Sequence, residues 1–237
     1  MAETDLHRKI MIALLHALEE YYRKHARVYV SGNIFIYYRD EVGVQQSVSP
    51  DIFVVFGVAK HDRRIYKLDD EGKAPQVVIE LTSTHTKVED IVTKHYIYAS
   101  MGVREYFLFD PYTETMRPAL RGFQLEGGEY VPMANDRRGA ARLHSEVLGF
   151  ELRVEQGLLR LFDPKTGEYL RSPEEAEEEL RVAKMKLMRE AKARQRAESR
   201  AAKAEAVFTQ ELAARKAVEA ENARLREELA RLRGKKS

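Results

Sequence analysis

The 237-residue sequence contains no cysteine and no long uninterrupted run of apolar residues. Without cysteine the chain can form neither disulfide bonds nor thiolate metal sites, which fits a reducing compartment. No run of eighteen apolar residues occurs, and charges are spread through the first twenty residues, so neither a membrane span nor a secretory signal is predicted. We therefore expect a cytoplasmic protein with no membrane partner.

A strong excess of either charge is also lacking. The chain has 40 Lys+Arg against 38 Asp+Glu, a net charge of +2. Residues 172–237 contain 17 basic and 13 acidic residues, so the part before them carries a net charge of −2. Nucleic-acid-binding domains usually have a basic surface, so this balance counts mildly against a DNA substrate but leaves a locally basic face open.

The C-terminal part lacks the residues that interrupt helices. After Pro173 there is no further proline, and no glycine occurs before Gly234. Ala, Glu, Arg, Lys and Leu dominate this segment, which predicts one long helix or coiled coil. Ser172 is the expected N-cap, with Pro173 at the first helical position. We predict two domains, residues 1–171 and the helix 172–237.

A heptad pattern runs through this helix and is clearest near its end. Apolar residues recur at the seam positions together with one asparagine, which favours a parallel two-stranded pairing. Glu221 and Glu228 would face Arg226 and Arg233 of a partner helix as attractive pairs. The predicted self-association residues are Val218, Asn222, Leu225, Leu229 and Leu232. The alternative is a solvated single helix, because charged residues occupy the seam in the middle of the segment.

The N-terminal part predicts an α/β (α+β) fold. An amphipathic helix is expected at residues 4–25, and apolar strands at 28–38, 49–56, 77–82 and 105–109. The first of these strands reads as one long strand or as two pieces joined at Gly32. A helix at 87–101 precedes the last strand and ends at Gly102, and further hairpin strands follow at 119–162. The order α-β-β-β-α-β, followed by extra hairpins, predicts a mixed sheet with helices packed on it.

Two acids interrupt strands that are otherwise apolar. Asp51 opens one strand directly after Pro50, and Glu80 lies inside the next strand of the core. Adjacent strands would bring the two carboxylates together, where they repel each other unless a cation lies between them. Oxygen ligands in the absence of cysteine suit Mg²⁺ or Mn²⁺, and the backbone carbonyl of Leu81 is a further candidate ligand. For Asp51 the alternative is turn chemistry after proline, and for Glu80 a structural ion pair.

Lys94 is the basic residue expected to complete this site. It lies on the helix that follows the Glu80 strand, and a helix in that position can return the lysine towards Glu80. A metal site of this kind can lower the pKa of a bound water and stabilise charge on a phosphoryl oxygen. The ammonium of Lys94 would hold the water or neutralise the developing charge. The alternative is a surface pair of Asp90 and Lys94, spaced i, i+4.

Three segments carry a family resemblance. They are "SPDIFVV", "VVIELTSTHT" and "DIVTKHYIYASMGVREYFLFDP". Together they resemble the Uma-two family, a bacterial group in the PD-(D/E)XK restriction-endonuclease-like superfamily. The resemblance covers roughly residues 6–162 and is strongest from Ser49 to Pro111. The core order of the superfamily is also α-β-β-β-α-β. Members of the Uma-two family often carry a charged coiled-coil tail.

The resemblance implies metal-dependent hydrolysis of DNA phosphodiester bonds. Asp51 and Glu80 match the motif acids that bind the metal, and Lys94 takes the place of the usual motif lysine, where this chain has Thr82. Ser83 matches a family serine, and we predict that its hydroxyl forms a hydrogen bond within the turn between the strand and the helix. We read Tyr98 as a core residue whose hydroxyl could reach the site.

Three functions remain open on this basis. The leading one is a Mg²⁺-dependent (or Mn²⁺-dependent) endonuclease that dimerises through its tail and acts on DNA. The second is a catalytically inactive endonuclease fold that serves as a binding or scaffold module, with the coiled coil mediating protein interaction. The third is a domain acting on RNA or a nucleotide, with a tail that recruits another protein.

Overall fold

A computed structural model describes residues 4–82, 92–134 and 141–234, with side chains up to residue 229 of the last helix. It contains mixed sheets, helices packed on them and a long C-terminal helix, so the predicted α/β class is confirmed. By their contacts the residues form two compact units, one ending at Ala176 and one beginning at Glu177. The elements in chain order are α1 Asp5–Tyr21, β1 Val28–Ser31, β2 Ile36–Arg39, β3 Gln45–Val48, β4 Ile52–Phe56, β5 Tyr66–Lys67, α2 Leu68–Glu71, β6 Val77–Leu81, α3 Lys94–Met101, β7 Glu105–Phe109, β8 Leu120–Glu126, β9 Glu129–Pro132, β10 Arg142–Ser145, β11 Phe150–Glu155, β12 Leu158–Asp163, β13 Glu168–Tyr169 and α4 Pro173–Gly234.

The centre of the first unit is a six-stranded sheet with the strand order β1-β4-β6-β7-β8-β9. All of its neighbouring pairs are antiparallel except β6 and β7, which run parallel. Parallel neighbours require a crossover connection, and α3 lies in the connection between these two strands. The strands of this sheet and the helices α1 and α3 follow the predicted order α-β-β-β-α-β.

The central strands are buried on both faces, and their alternating side chains divide the core into two layers. One layer packs against α1 and the four-stranded sheet β10-β11-β12-β13. Its sheet residues include Ile52, Val54, Val77, Ile79, Phe107 and Phe109. The other layer packs against α3 and the three-stranded sheet β3-β2-β5. Its residues from the central sheet include Phe53, Val55, Val78, Tyr106 and Leu108.

Helix α1 forms because an apolar stripe at helical spacing follows a good N-cap. The side chain of Thr4 accepts a hydrogen bond from the His7 amide at 3.2 Å. Ile10, Leu14 and Leu18 are buried on the face that joins the core. The helix ends at Tyr21, so the predicted extension to residue 25 is too long.

Of the two alternatives predicted for residues 28–38, the structure has two separate strands, and they lie in different sheets. β1 lies at the edge of the central sheet, whereas β2 pairs with β3 and β5. The break occurs at Gly32, where a Cβ would lie 1.9 Å from the carbonyl oxygen of Asp51. Only glycine allows this close approach of two backbones. The sequence predicted neither β3 nor the short elements β5 and α2.

The C-terminal helix α4 has 62 residues, which corresponds to about 90 Å at ~1.5 Å per residue. Its predicted start at Pro173 is confirmed. The Glu175 amide donates to the Ser172 hydroxyl at 3.3 Å, and the Ser172 amide donates to the Glu175 carboxylate at 2.9 Å. This reciprocal capping box stabilises the first turn. No helix among the described residues is long and apolar enough to cross a membrane.

Candidate active site at the ends of β4 and β6

The antiparallel pairing of β4 and β6 brings Asp51 next to Glu80. Ile52 lies opposite Ile79, so the residue before β4 is level with the fourth residue of β6. The Leu81 amide donates to Asp51 Oδ2 at 2.7 Å, and the Asp51 amide lies 3.4 Å from Glu80 Oε2. Both acids are buried, with 9% of Asp51 and 1% of Glu80 exposed. The pair therefore lies at one end of the sheet, as the positions of the two acids in the sequence had predicted.

Glu80 receives two donors from α3. The Lys94 ammonium lies 2.9 Å from Glu80 Oε1, and the Tyr98 hydroxyl donates to the same oxygen at 2.5 Å. Residues spaced i, i+4 occupy the same face of a helix, which explains why both side chains reach one carboxylate. The structure thus brings together Asp51, Glu80 and Lys94, the three residues predicted to form the site. It also brings in Tyr98, whose hydroxyl was expected to reach it.

His7 is a site residue that the sequence interpretation did not include. Its Nε2 lies 3.3 Å from Asp51 Oδ1, on the side of the acid that faces α1. A signal for it was present in the sequence, because His7 stands three and four residues before Ile10 and Met11 on the buried face of the helix. Which strand end that face would cover could not be read from the periodicity.

Burial and hydrogen bonding shift the pKa of the Asp51 carboxyl in opposite directions. Burial raises the pKa of this carboxyl, but contact with His7, the Leu81 amide and the charge of Lys94 together lower it below its ordinary value. The pKa of Tyr98 is raised well above its ordinary value, by burial first and by the neighbouring Glu80 second. At neutral pH the site therefore contains an ionised Asp51 and a protonated Tyr98 that acts as a hydrogen-bond donor.

Thr82 occupies the position where the resemblance expects a lysine. It is buried, and its amide donates to the Phe109 carbonyl at 2.8 Å, which continues the β6–β7 ladder. Its hydroxyl oxygen has no hydrogen-bond partner among the described residues. A threonine cannot supply an ammonium, whereas Lys94 brings one to Glu80 from α3. Ser83 and Asp90 lie outside the described residues.

The donor set suits a hard divalent cation. Among the described residues there is no group of three His, Asp or Glu side chains placed to bind one metal ion. The site instead offers two carboxylates, and Mg²⁺ is typically held by one or two carboxylates while keeping water and phosphate ligands. Leu81, the predicted carbonyl ligand, lies beside both acids, and its amide is bonded to Asp51. The residues present therefore fit Mg²⁺ or Mn²⁺ better than a metal that needs a complete protein cage.

Two comparisons with known proteins found a match. A family model described as "Uma2: Putative restriction endonuclease" matches residues 1–155. Among solved structures, the chain is similar to a "putative nuclease belonging to DUF820" from Anabaena variabilis. That match has 14% sequence identity and a TM-score of 0.43, and it covers 56% of this chain and 69% of that chain. No curated protein matches the sequence.

Proposed function

Because the chain belongs to the Uma2 family, we propose that it is a metal-dependent endonuclease that hydrolyses phosphodiester bonds of DNA. The catalytic residues of this proposal are Asp51, Glu80 and Lys94. The observation that carries it is the 2.9 Å contact between the Lys94 ammonium and Glu80, at a carboxylate that adjoins Asp51 on the next strand. Two acids can hold a divalent cation that activates water, and a lysine beside them can stabilise the charge that develops on the phosphate during phosphodiester hydrolysis.

Asp51 and Glu80 hold Mg²⁺ or Mn²⁺ in this proposal, together with the Leu81 carbonyl. When bound, the cation supplies an activated water and stabilises negative charge on the phosphoryl oxygens. The two acids are prepared for this role because β4 and β6 fix their separation and the Leu81 amide orients Asp51. His7 supports Asp51 from the side of α1.

Lys94 supplies the positive charge, because the usual position of the motif lysine is occupied by Thr82. Its ammonium orients the attacking water or neutralises charge that develops on the phosphate. The lysine is well placed because α3 holds it on the face directed at Glu80, and because its side chain is largely shielded from solvent. Charge interactions are stronger in such a site than in water.

Cleavage assays test this function. The wild-type protein should cut plasmid or branched DNA in the presence of Mg²⁺ or Mn²⁺ and should not cut in the presence of a chelator. Glu80→Ala should abolish cleavage, because it removes both a metal ligand and the partner of Lys94. Glu129→Ala changes an exposed acid of β9 and should leave cleavage unchanged. The proposal fails if no substrate is cut with either metal and no metal binds at Asp51 and Glu80.

A second candidate is a non-catalytic binding or scaffold module. Two observations favour it: Thr82 stands at the position of the usual lysine, and residues before 172 carry a net negative charge. Such a module would bind DNA or protein without requiring a cation. Equal DNA binding by wild type and Glu80→Ala, with no cleavage by either, would support it over the enzyme.

We also infer that α4 joins two chains in a parallel coiled coil. Val218, Leu225 and Leu229 are about half exposed on this helix, so a single chain leaves its apolar seam in water. The proposed contact residues are Val218, Asn222, Leu225, Leu229 and Leu232. A parallel dimer would bring two sites to one DNA duplex, which suits cleavage of both strands.

A further inference from the structure

Tyr98 is a buried tyrosine whose hydroxyl ends on a carboxylate. Buried Tyr22 and Tyr66 and half-buried Tyr130 donate instead to backbone carbonyl oxygens, at 3.3, 2.7 and 2.9 Å. The Tyr98 hydroxyl donates to Glu80 at 2.5 Å. A hydrogen bond to an ionised acceptor is shorter and stronger than one to a carbonyl, so this contact constrains Glu80 more than packing alone would.

The contact makes the two oxygens of Glu80 unequal. Tyr98 and Lys94 both approach Oε1. Oε2 points the other way and lies 3.4 Å from the Asp51 amide. The carboxylate is therefore held with one oxygen towards α3 and the other towards Asp51.

Packing fixes the position of the Tyr98 ring. It lies edge-on to Tyr106, with 5.1 Å between ring centroids, and no part of the residue is exposed. The helix that carries it ends one turn later at Gly102, which adopts the left-handed conformation with φ of 81°. A ring fixed in this way holds its hydroxyl at one place, which is how supporting residues orient a site.

We propose that Tyr98 is a positioning residue, whose hydroxyl turns the Glu80 carboxylate so that Oε2 faces Asp51 and the divalent cation. This role rests on the proposed metal site. The Tyr98 hydroxyl donates to Glu80, so in this proposal Tyr98 acts through Glu80. Loss of a group that supports a metal ligand typically weakens metal binding by about 10–100-fold.

Titration of the full-length protein with Mn²⁺ by calorimetry tests this role without relying on activity. Tyr98→Phe keeps the ring and should weaken Mn²⁺ binding by about 10-fold or more. The matched control is Tyr66→Phe, which also deletes a hydroxyl from a fully buried tyrosine but loses a bond to the Lys73 carbonyl. It should bind Mn²⁺ as tightly as wild type does. Equal affinity of Tyr98→Phe and wild type would overturn the proposal.

A double-mutant cycle in metal-free urea unfolding separates this proposal from the metal site itself. Tyr98→Phe should lower the urea midpoint of the wild type, because it removes a donor from Glu80. In the Glu80→Ala background the hydroxyl has lost its acceptor, so Tyr98→Phe should leave the midpoint unchanged or raise it. Glu80→Gln serves as the background if Glu80→Ala does not fold, and it should reduce the effect of Tyr98→Phe.

The outcomes of the cycle are distinct from failure of the proposed function. If the effects of the Tyr98 and Glu80 substitutions on the urea midpoint are additive, the role of Tyr98 is overturned, whether or not metal binds. Lack of Mn²⁺ binding by the wild type would overturn the metal site, and with it the part of the proposal that concerns the cation. Coupled midpoints together with weakened Mn²⁺ binding support the whole proposal.

Discussion

Glu80 is a carboxylate in a strand whose five residues are all buried. Removing an ionised carboxylate from water costs several kcal/mol, and this cost must be offset locally. Here Lys94 and Tyr98 supply a positive charge and a hydroxyl donor to the same oxygen. Lys94, which offsets the cost of burying Glu80, is also the residue proposed to supply the catalytic charge.

Replacement of Lys94 by methionine removes the ammonium but keeps a long side chain. We expect Lys94→Met to slow DNA cleavage by about 10²–10³-fold, because a charge that stabilises the transition state is lost. The variant should also lose about 3 kcal/mol of unfolding free energy, because Glu80 stays buried without its ion pair. Cleavage rates and urea unfolding measure the two effects.

Lys67→Met is the control for this prediction. Lys67 forms an exposed pair with Asp70 at 3.7 Å, and such pairs contribute about 0–1 kcal/mol. Wild-type cleavage rates in Lys94→Met would contradict a catalytic role for this lysine.

The proximity of Asp51, Glu80 and Lys94 could be predicted because each breaks a local rule or follows from strand–helix order, whereas their catalytic roles stay a prediction. An acid in an apolar strand is visible in the sequence itself. His7 breaks no such rule, because a histidine beside an apolar helical stripe is ordinary. Its place beside Asp51 depends on how α1 packs across the sheet, which is a long-range property.

At the scale of elements, the crossover from β6 to β7 is what carries Lys94 to Glu80. Because the two strands are parallel, the chain must return over the sheet between them, and α3 occupies that return. The strand β7 then ends at a tight turn organised by Asp110. This carboxylate accepts hydrogen bonds from the amides of Tyr112, Thr115 and Met116 and from the Thr115 hydroxyl.

The turn at Asp110 should make stability depend on pH in the acid range. Burial raises the pKa of Asp110, but the donors of the turn outweigh it, so the pKa is lowered in the folded state. Its contribution is therefore fully present above the unfolded pKa of about 3.9 and is lost as the pH falls through the lower folded value. We expect Asp110→Asn to lose about 1–3 kcal/mol at pH 7 and less than that below pH ~4, as measured by urea unfolding.

Asp69→Asn provides the matched comparison, because Asp69 forms an exposed pair with Arg39. It should change stability by less than about 1 kcal/mol at either pH. A loss in Asp110→Asn that stays constant from neutral to acid pH would contradict this account of the turn.

At the scale of the whole molecule, the chain consists of two compact units that follow one another in the sequence and differ in composition. The first has a layered core with buried acids, and the second is one helix with exposed apolar residues. The boundary between domains 1–171 and 172–237 stays a prediction, as does the dimer.

Sedimentation of full-length variants tests the dimer. Leu225→Glu combined with Leu229→Glu places charges on the proposed seam and should convert a dimer into a monomer. Ala220→Glu adds the same charge at an outward position of the heptad and should leave the dimer intact. The coiled-coil proposal is wrong if the wild type is monomeric or if the double variant sediments as the wild type does.

The sequence by itself determined the order of the main helices and strands, the N-cap at Ser172, the glycine stop after α3 and the two acids that interrupt apolar strands, because these depend on neighbours in the chain. Only the tertiary structure decided that residues 28–38 divide between two sheets and that β5 joins β2. The same holds for His7, which meets Asp51 44 positions further along the chain. These contacts depend on which buried surfaces pack together, and the local pattern of hydrophobicity does not contain that information.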